Sequence, residues 1–241
     1  YNNDGYPDLF LTYWGQNVLY RNNRDGTFTD VTRQAGLEDA RTRWGAGCTF
    51  LDYDRDGHLD LFVANYLDLD LRKTPLPGAD SNCAWLGLPV ICGPRGLPFS
   101  SDILYHNNRD GTFTDVTEHS GATGNAYGMG VAVGDYDGDG LPDLYVTQYP
   151  RNILYHNNGD GTFTDVTERA GVAAPGWTTS AVWFDYDNDG RLDLFVCGFL
   201  EFSKAKNIYC GTPPLRAYCM PTAYPGTPCR LFRNNGDGTF T

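Results

Sequence analysis

"DYDGDGLPDLYV", residues 135–146, places Asp135, Asp137, Asp139 and Asp143 around Gly140 and then runs into an apolar strand. Taken alone it reads as an EF-hand loop or as a catalytic carboxylate cluster. Its own repeats decide between these readings. The motif recurs as "NNDGYPDLFLT" from Asn2, "DYDRDGHLDLFVAN" from Asp52 and "DYDNDGRLDLFVCG" from Asp185. A second motif alternates with it: "NVLYRNNRDGTFTDVT" from Asn17, "DILYHNNRDGTFTDVT" from Asp102, "NILYHNNGDGTFTDVT" from Asn152 and "CRLFRNNGDGTFT" from Cys229.

Each full unit reads as four short strands. "GAGCTFLDYD", "GVAVGDYD" and "SAVWFDYD" run into the Asp-rich loop, and "LDLFVAN", "PDLYVTQ" and "LDLFVCG" leave it. "ILYHNN" is the third strand, an Asp-Gly turn of the kind that needs positive φ follows, and "TFTDVT" is the fourth. Units of about 50 residues with four strands apiece are the signature of β-propeller blades. The expected blades are 1–37 with its first strand missing, 38–122, 123–172, and 173–241 with its fourth strand truncated; insertions occupy 67–101 and 199–229. Tyr1 stands at the second position of an Asp-rich loop and Thr241 inside a fourth strand, so an all-β propeller excerpt is expected rather than a closed four-bladed ring. Antiparallel strands turn at alternate ends, which puts the Asp-rich loops and Asp-Gly turns on one face and the insertions on the other.

Carboxylates at loop positions 1, 3 and 5, glycine at 6, a backbone carbonyl at 7 and a further carboxylate can wrap a hard cation that takes six to eight oxygens. The expected side-chain ligands are Asp52, Asp54, Asp56 and Asp60; Asp135, Asp137, Asp139 and Asp143; and Asp185, Asp187, Asp189 and Asp193. His58, Leu141 and Arg191 would offer backbone oxygens only, and Asn2, Asp4 and Asp8 form a partial site lacking position 1. An EF-hand closes on a bidentate Glu at position 12 between helices, whereas position 12 here is Val63, Val146 or Val196 and the closing carboxylate sits at position 9. A catalytic pair would hold its acids at different pKa values in a cleft, yet these acids recur in every unit. Calcium in a β-hairpin clamp is the expectation, with another divalent ion or an empty loop as the alternatives.

The 241 residues, 41 % hydrophobic and 14 % aromatic with 29 glycines and 14 prolines, support a large core built from many short strands. A net charge of -12 argues against a nucleic-acid partner, and 14 of the 30 acids lie in the four loops, where cations can neutralise them. No apolar run approaches the roughly 18 residues of a membrane helix, so membrane insertion is not expected.

Seven cysteines point to an oxidising compartment. Cys83 and Cys92 lie nine apart in one insertion, as do Cys210 and Cys219 in the other, and one local disulfide in each is the simplest account. Cys229 would pair elsewhere or join the second cluster; Cys48 and Cys197 read as core residues. The absence of a Cys-x-x-Cys spacing makes a zinc site improbable. The insertions are long, aromatic and unlike each other, so they are the expected binding surface, with Trp85, Tyr209, Tyr218 and Tyr224 as contact residues or as a roof packed only on itself. His106 and His156 read as ordinary exposed polar positions where other units carry Arg21 and Arg233, and His119 lies near a linker. The glycines of "GAGCTF" and "GMGVAVG" precede no helix and read as tightly packed inner strands.

The loop followed by "LYxNNGDGTFxDVT" resembles the FG-GAP/VCBS repeats of integrin-type propellers, and is similar to the bacterial cartilage acidic protein-like proteins that carry an ASPIC/UnbV domain. That resemblance implies a seven-bladed, calcium-binding propeller at an extracellular, cell-surface or periplasmic location. The expected role is a non-catalytic interaction or adhesion scaffold for a protein or glycan ligand. The alternatives are an accessory or platform domain of a secreted carbohydrate-active enzyme, and a self-assembling surface or fibre component.

Overall fold

The computed structural model describes residues 1–39, 41, 43–79, 83–85, 87–90, 97–202, 208–212 and 219–241, with the side chain of Trp85 excepted. The first unit supplies β1 (Leu9–Leu11), β2 (Trp14–Gly15), β3 (Val18–Asn22) and β4 (Phe28–Asp30). The second supplies β5 (Arg43–Leu51), β6 (Asp60–Asp68), the short insertion strands β7 (Ala84–Trp85) and β8 (Leu88–Pro89), β9 (Ile103–Asn107), β10 (Phe113–Asp115) and helix α1 (Thr117–Ser120). The third contains β11 (Tyr127–Gly134), β12 (Asp143–Tyr149), β13 (Ile153–Asn157), β14 (Phe163–Asp165) and α2 (Thr167–Ala170); the fourth contains β15 (Thr178–Phe184), β16 (Asp193–Gly198) and β17 (Arg230–Phe232).

Among the described residues four larger antiparallel sheets, ordered β1-β3-β4, β10-β9-β6-β5-β2, β11-β12-β13-β14 and β15-β16-β17, stand as propeller blades beside a two-stranded β7-β8 pair in the insertion; β2 of the first unit crosses to the second sheet, where it pairs with β5. A bridge between Asn234 and Phe240 stands in the fourth sheet where a fourth strand begins.

The second strands explain the stacking. In β6 the residues 61–64 form a continuous apolar run because both faces of the strand are covered there. Leu61 and Val63 pack with Leu19, Ile103 and Phe113 between the first and second sheets. Phe62 and Ala64 pack with Leu104, Leu144, Ile153 and Phe163 between the second and third. β12 repeats the scheme, with Tyr145 facing Leu154, Leu194 and Phe240 between the third and fourth. The core is therefore a series of layers between sheets. The end sheets expose Leu9, Leu11 and Phe28 on one side and Val182, Phe184 and Leu231 on the other.

First strands approach one another through glycine, as expected. A Cβ on Gly47 would lie 2.7 Å from Gly130 Cα, and one on Gly130 would lie 2.7 Å from the Thr179 carbonyl oxygen.

Two boundaries differ from expectation. The fourth strands end at Asp115 and Asp165, and the rest of "TFTDVT" enters α1 and α2. The cause is local: Asp115 Oδ1 accepts the Thr117 N–H at 3.0 Å and its hydroxyl at 2.6 Å, and Asp165 does the same for Thr167, which turns the chain out of the strand. β6 also runs to Asp68, so Tyr66 and Leu67 lie in the sheet, where Leu67 bridges to Phe99.

Candidate metal centre

Each Asp-rich loop joins a first strand to a second. Two left-handed residues shape it: Asn3, Arg55, Gly138 and Asn188 at position 4, with φ between 55° and 76°, and Gly5, Gly57, Gly140 and Gly190 at position 6, with φ from 83° to 86°. Nothing lies within 4 Å of a Cβ built on Gly57, so backbone conformation and not space requires glycine there. Position 1 holds the turn. Asp52 accepts the amides of Asp56 and Gly57, both at 3.0 Å; Asp185 accepts the corresponding pair, Asp189 and Gly190, and Asp135 accepts Gly138 and Gly140.

The loops bring together the carboxylates of positions 1, 3 and 9. Donor oxygens of Asp52, Asp54 and Asp60, of Asp135, Asp137 and Asp143, and of Asp185, Asp187 and Asp193 lie within 4.8 Å of one another in each group. Position 5 stands outside these groups, and Asp139 lies instead with Asp137 and His156. Asp56 pairs with Arg109 at 2.8 Å, and Asp189 pairs with Arg191 at 3.0 Å. Position 7 appears as amide donors: His58, Leu141 and Arg191 N–H groups each bond the position 5 carboxylate. In the first unit Asn2 and Asp4 bond each other, Arg24 pairs with Asp4, and Asp8 takes the position of the closing carboxylate.

The position 9 aspartates are fully buried at Asp60, Asp143 and Asp193. Each accepts two backbone amides, Tyr53 and Asn107 for Asp60, Tyr136 and Asn157 for Asp143, and Tyr186 and Asn234 for Asp193. The asparagine then crosses to the neighbouring unit: Asn107, Asn157 and Asn234 donate Nδ2–H to the carbonyls of Tyr1, Tyr53 and Tyr136 at 2.9, 2.8 and 2.7 Å. One unbroken hydrogen-bond relay thus runs from loop to loop across all four units. Burial pushes the Asp60 carboxyl up to about 6 and the Asp143 carboxyl up to about 7, with Asp54 and Asp137 adding repulsion. Buried, crowded carboxylates of this kind fit a divalent cation, which would supply the missing opposite charge.

The histidines depart from expectation. Instead of ordinary exposed positions, His106 Nδ1 lies 3.4 Å from Asp54 and 3.3 Å from Asp60, and His156 Nδ1 lies 3.3 Å from both Asp137 and Asp143. The third strand faces the loop at this register, so the same position in the fourth unit delivers Arg233 to Asp187 at 2.8 Å and Asp189 at 3.4 Å. The alternation "ILYHNN", with Asn107 and Asn157 buried two-way hooks on one side of the strand, was the signal that the intervening histidine points elsewhere.

At the opposite ends of the strands, Cys210 and Cys219 form the expected disulfide, with Cα atoms 5.2 Å apart. Cys92 lies outside the described residues, and the proposed pairing with Cys83 with it. Cys229 is free and exposed; Cys48 packs against the first core layer, and Cys197 is half-buried. Tyr218 and the Trp85 side chain lie outside the described residues, and Tyr209 is exposed.

An aromatic belt occupies this end. Trp44 contacts Tyr66, Tyr66 contacts Tyr127, Tyr127 contacts Tyr149, and Tyr149 contacts Trp177, with ring centroids 5.7–6.4 Å apart. Phe199, Phe202 and Tyr224 extend it. Sequence reasoning centred on the insertions missed most of it, although the register is visible: Trp14, Tyr66, Tyr149 and Phe199 each stand six residues beyond Asp8, Asp60, Asp143 and Asp193.

Stacked antiparallel sheets with an acidic loop at the same corner of each define a β-propeller-type repeat protein. The FG-GAP-like repeat family matches residues 1–63, 90–146 and 135–196, and the chain belongs to that family. Among curated proteins it is similar to cartilage acidic protein 1 of Xenopus tropicalis, 26% identical over 169 residues, which is 55% of this chain and 25% of that protein. It is also similar to the Homo sapiens cartilage acidic protein 1, 38% identical over 52 residues, 22% of this chain and 8% of that protein. The chain thus spans a quarter or less of these relatives. A solved structure of an Agrocybe aegerita lectin, described for its recognition of non-reducing terminal N-acetylglucosamine, aligns over 99% of this chain and 62% of that one with 19% identity and a TM-score of 0.31. Among the described residues no helix is long and apolar enough to cross a membrane.

Proposed function

We propose that this chain is a calcium-stapled, non-catalytic propeller segment of an exported protein, and that it presents a protein- or glycan-binding face at the insertion end of its strands. The cation reading is supported by one recurrent observation: carboxylates of positions 1, 3 and 9 converge within 4.8 Å in three successive units. Oxygen-only groups of that kind suit calcium, with Asp52, Asp54 and Asp60, Asp135, Asp137 and Asp143, and Asp185, Asp187 and Asp193 as the side-chain ligands. Asp56, Asp139 and Asp189, and the carbonyls of His58, Leu141 and Arg191, would complete each shell after a turn of the loop. Asn2, Asp4 and Asp8 form the partial site.

The binding face is assigned to the aromatic belt, because aromatic rings with wet edges serve both sugar stacking and protein anchoring. Trp14, Trp44, Phe99 and Phe199 are exposed along it. A disulfide at this end supports an oxidising, extracellular setting. Two measurements test the reading. Calorimetric titration of the chelated chain with calcium should show saturable binding at the loops, and a glycan array probed with the chain and with Trp44→Ala should show a signal that the substitution removes. No heat with calcium would remove the staple; array binding indifferent to Trp44→Ala and to Phe199→Ala would remove the belt as the glycan face.

A further inference from the structure

We propose that the loop of the third unit is also a site for a first-row divalent cation of the cobalt-to-zinc class, held through the mixed nitrogen and oxygen set of His156, Asp137 and Asp139. The proposal rests on the reading that these loops bind cations, and it assigns one of them a second, chemically different ion.

The donor atoms of Asp137, Asp139 and His156 lie within 4.8 Å of one another. For metal–ligand bonds of about 2.1 Å, neighbouring donors are about 3.0 Å apart in an octahedral site and about 3.4 Å apart in a tetrahedral one. His156 Nδ1 stands 3.3 Å from Asp137 Oδ2, a spacing inside that range. Small side-chain movements would close the set round one ion.

The imidazole is aimed rather than merely near. It sits on β13 opposite Thr164, and its ring meets Tyr136 edge-on at 6.2 Å, which fixes the ring with Nδ1 towards the carboxylates. That nitrogen is shielded from solvent and, although 3.3 Å from both Asp137 and Asp143, forms no hydrogen bond of good geometry with either. Imidazole nitrogen is a preferred donor for cobalt and zinc, whereas calcium takes oxygen.

Comparison of the units singles out the third. In the second, Asp54, Asp56 and His106 form a similar group, but Arg109 is already on Asp56 at 2.8 Å. In the fourth, Arg233 replaces the histidine and pairs with Asp187 and Asp189. The first unit has Arg21 at the histidine register, and Arg24 on Asp4. In the third unit Gly159 stands where the second has Arg109, and no arginine or lysine pairs with Asp137 or Asp139 among the described residues. Arg55 reaches this loop but donates to the Gly140 carbonyl, leaving the carboxylates open. Asp137 belongs both to this set and to the oxygen-only set with Asp135 and Asp143, so the two ions compete for one loop.

Cobalt(II) is the probe, added to the chelated chain and followed by its visible absorption, with calcium titrated in parallel by the shift in Tm. The wild type should bind cobalt at one principal site, with calcium displacing it. His156→Gln should weaken cobalt binding by at least about tenfold, the loss typical even of groups that only orient a metal ligand, while the calcium-dependent shift in Tm stays within error. His156→Arg introduces the residue that Arg233 and Arg21 already supply at this register, and should abolish the cobalt signal in a folded chain. His106→Gln should have the smaller effect. Cobalt affinity unchanged in both His156 variants, with calcium binding intact, overturns the inference alone. Absence of both cobalt and calcium binding overturns the cation reading as well.

Discussion

At the Asp-rich rim, Asp60, Asp143 and Asp193 each accept the same pair of backbone amides. At the other end of the strands, Asn17, Asp102 and Asn152 occupy one register and each accepts an equivalent backbone amide, from Tyr13, Asn65 and Gln148, but the further partners of Asp102 and Asn152 differ. Asp102 also accepts the Gln148 side chain at 3.3 Å, whereas Asn152 also accepts the Thr178 hydroxyl and donates to Tyr145 Oη. The rim solves one problem, the retention of an acidic loop on a stacked sheet, and solves it identically in each unit. The insertion end keeps one backbone contact and adds different side-chain neighbours in the second and third units. Repetition therefore marks the scaffold, and divergence marks the surface available for recognition.

The largest expected effect falls on the rim. If calcium is held with a Kd near 10⁻⁴ M, chelation from about 1 mM should cost about 1.4 kcal/mol per loop, or about 4 kcal/mol for three. A fall in Tm of about 8 to 16 °C on adding chelator is the expected reading; an unchanged Tm would dissolve the distinction between the two ends. Next comes Asp143→Ala, which leaves the amides of Tyr136 and Asn157 buried without their acceptor. Urea unfolding without metal should show a loss of about 3 kcal/mol, against less than about 0.5 kcal/mol for Asp139→Ala on the loop surface.

Between the two ends, Gly130→Ala forces a Cβ to within 2.7 Å of the Thr179 carbonyl oxygen, and about 2 kcal/mol should be lost as the inner strands separate. At the insertion end the change concerns pH. Burial pushes the Asp102 carboxyl up to about 8. Its folded pKa lies above the unfolded value of about 3.9, so its contribution is full below about pH 4 and is lost as pH rises through about 8. Stability of the metal-free chain should therefore fall as pH rises over that window, with Asp60 and Asp143 adding to the fall in its lower part. Asp102→Asn, which installs the residue Asn152 already supplies in the third unit, should make the fall shallower, most of all between about pH 7 and 8; equal slopes in the two proteins would show that Asp102 does not contribute to it. The smallest effect on stability is expected from Trp44→Ala, below about 1 kcal/mol because the ring is 40% exposed, with its consequence confined to ligand binding.

Much of the fold was legible because its causes are local. The Asp-Gly turns, the loop glycines and the apolar second strands announce themselves through turn chemistry and periodicity. The Asp115–Thr117 pair is equally local, but strand propensity in "TFTDVT" hides it, because the end of the strand is set by the hydroxyl of Thr117 on Asp115. The acids of positions 1, 3 and 9 were legible as a group; the outward turn of Asp56 was not, because it depends on Arg109 from a different hairpin.

By itself the sequence determined the repeat, the four-strand unit, the hairpin loops and the end of the strands at which the acids lie. These follow from hydrogen bonds and backbone preferences within a few residues. Tertiary structure alone decided that His156 faces Asp137, that Asn157 joins its loop to the Tyr53 carbonyl of the preceding unit, and that Tyr66, Tyr127 and Tyr149 form one belt. Those contacts depend on how closely neighbouring sheets stack and at what rotation, and that is set by the glycines and apolar layers between them acting together.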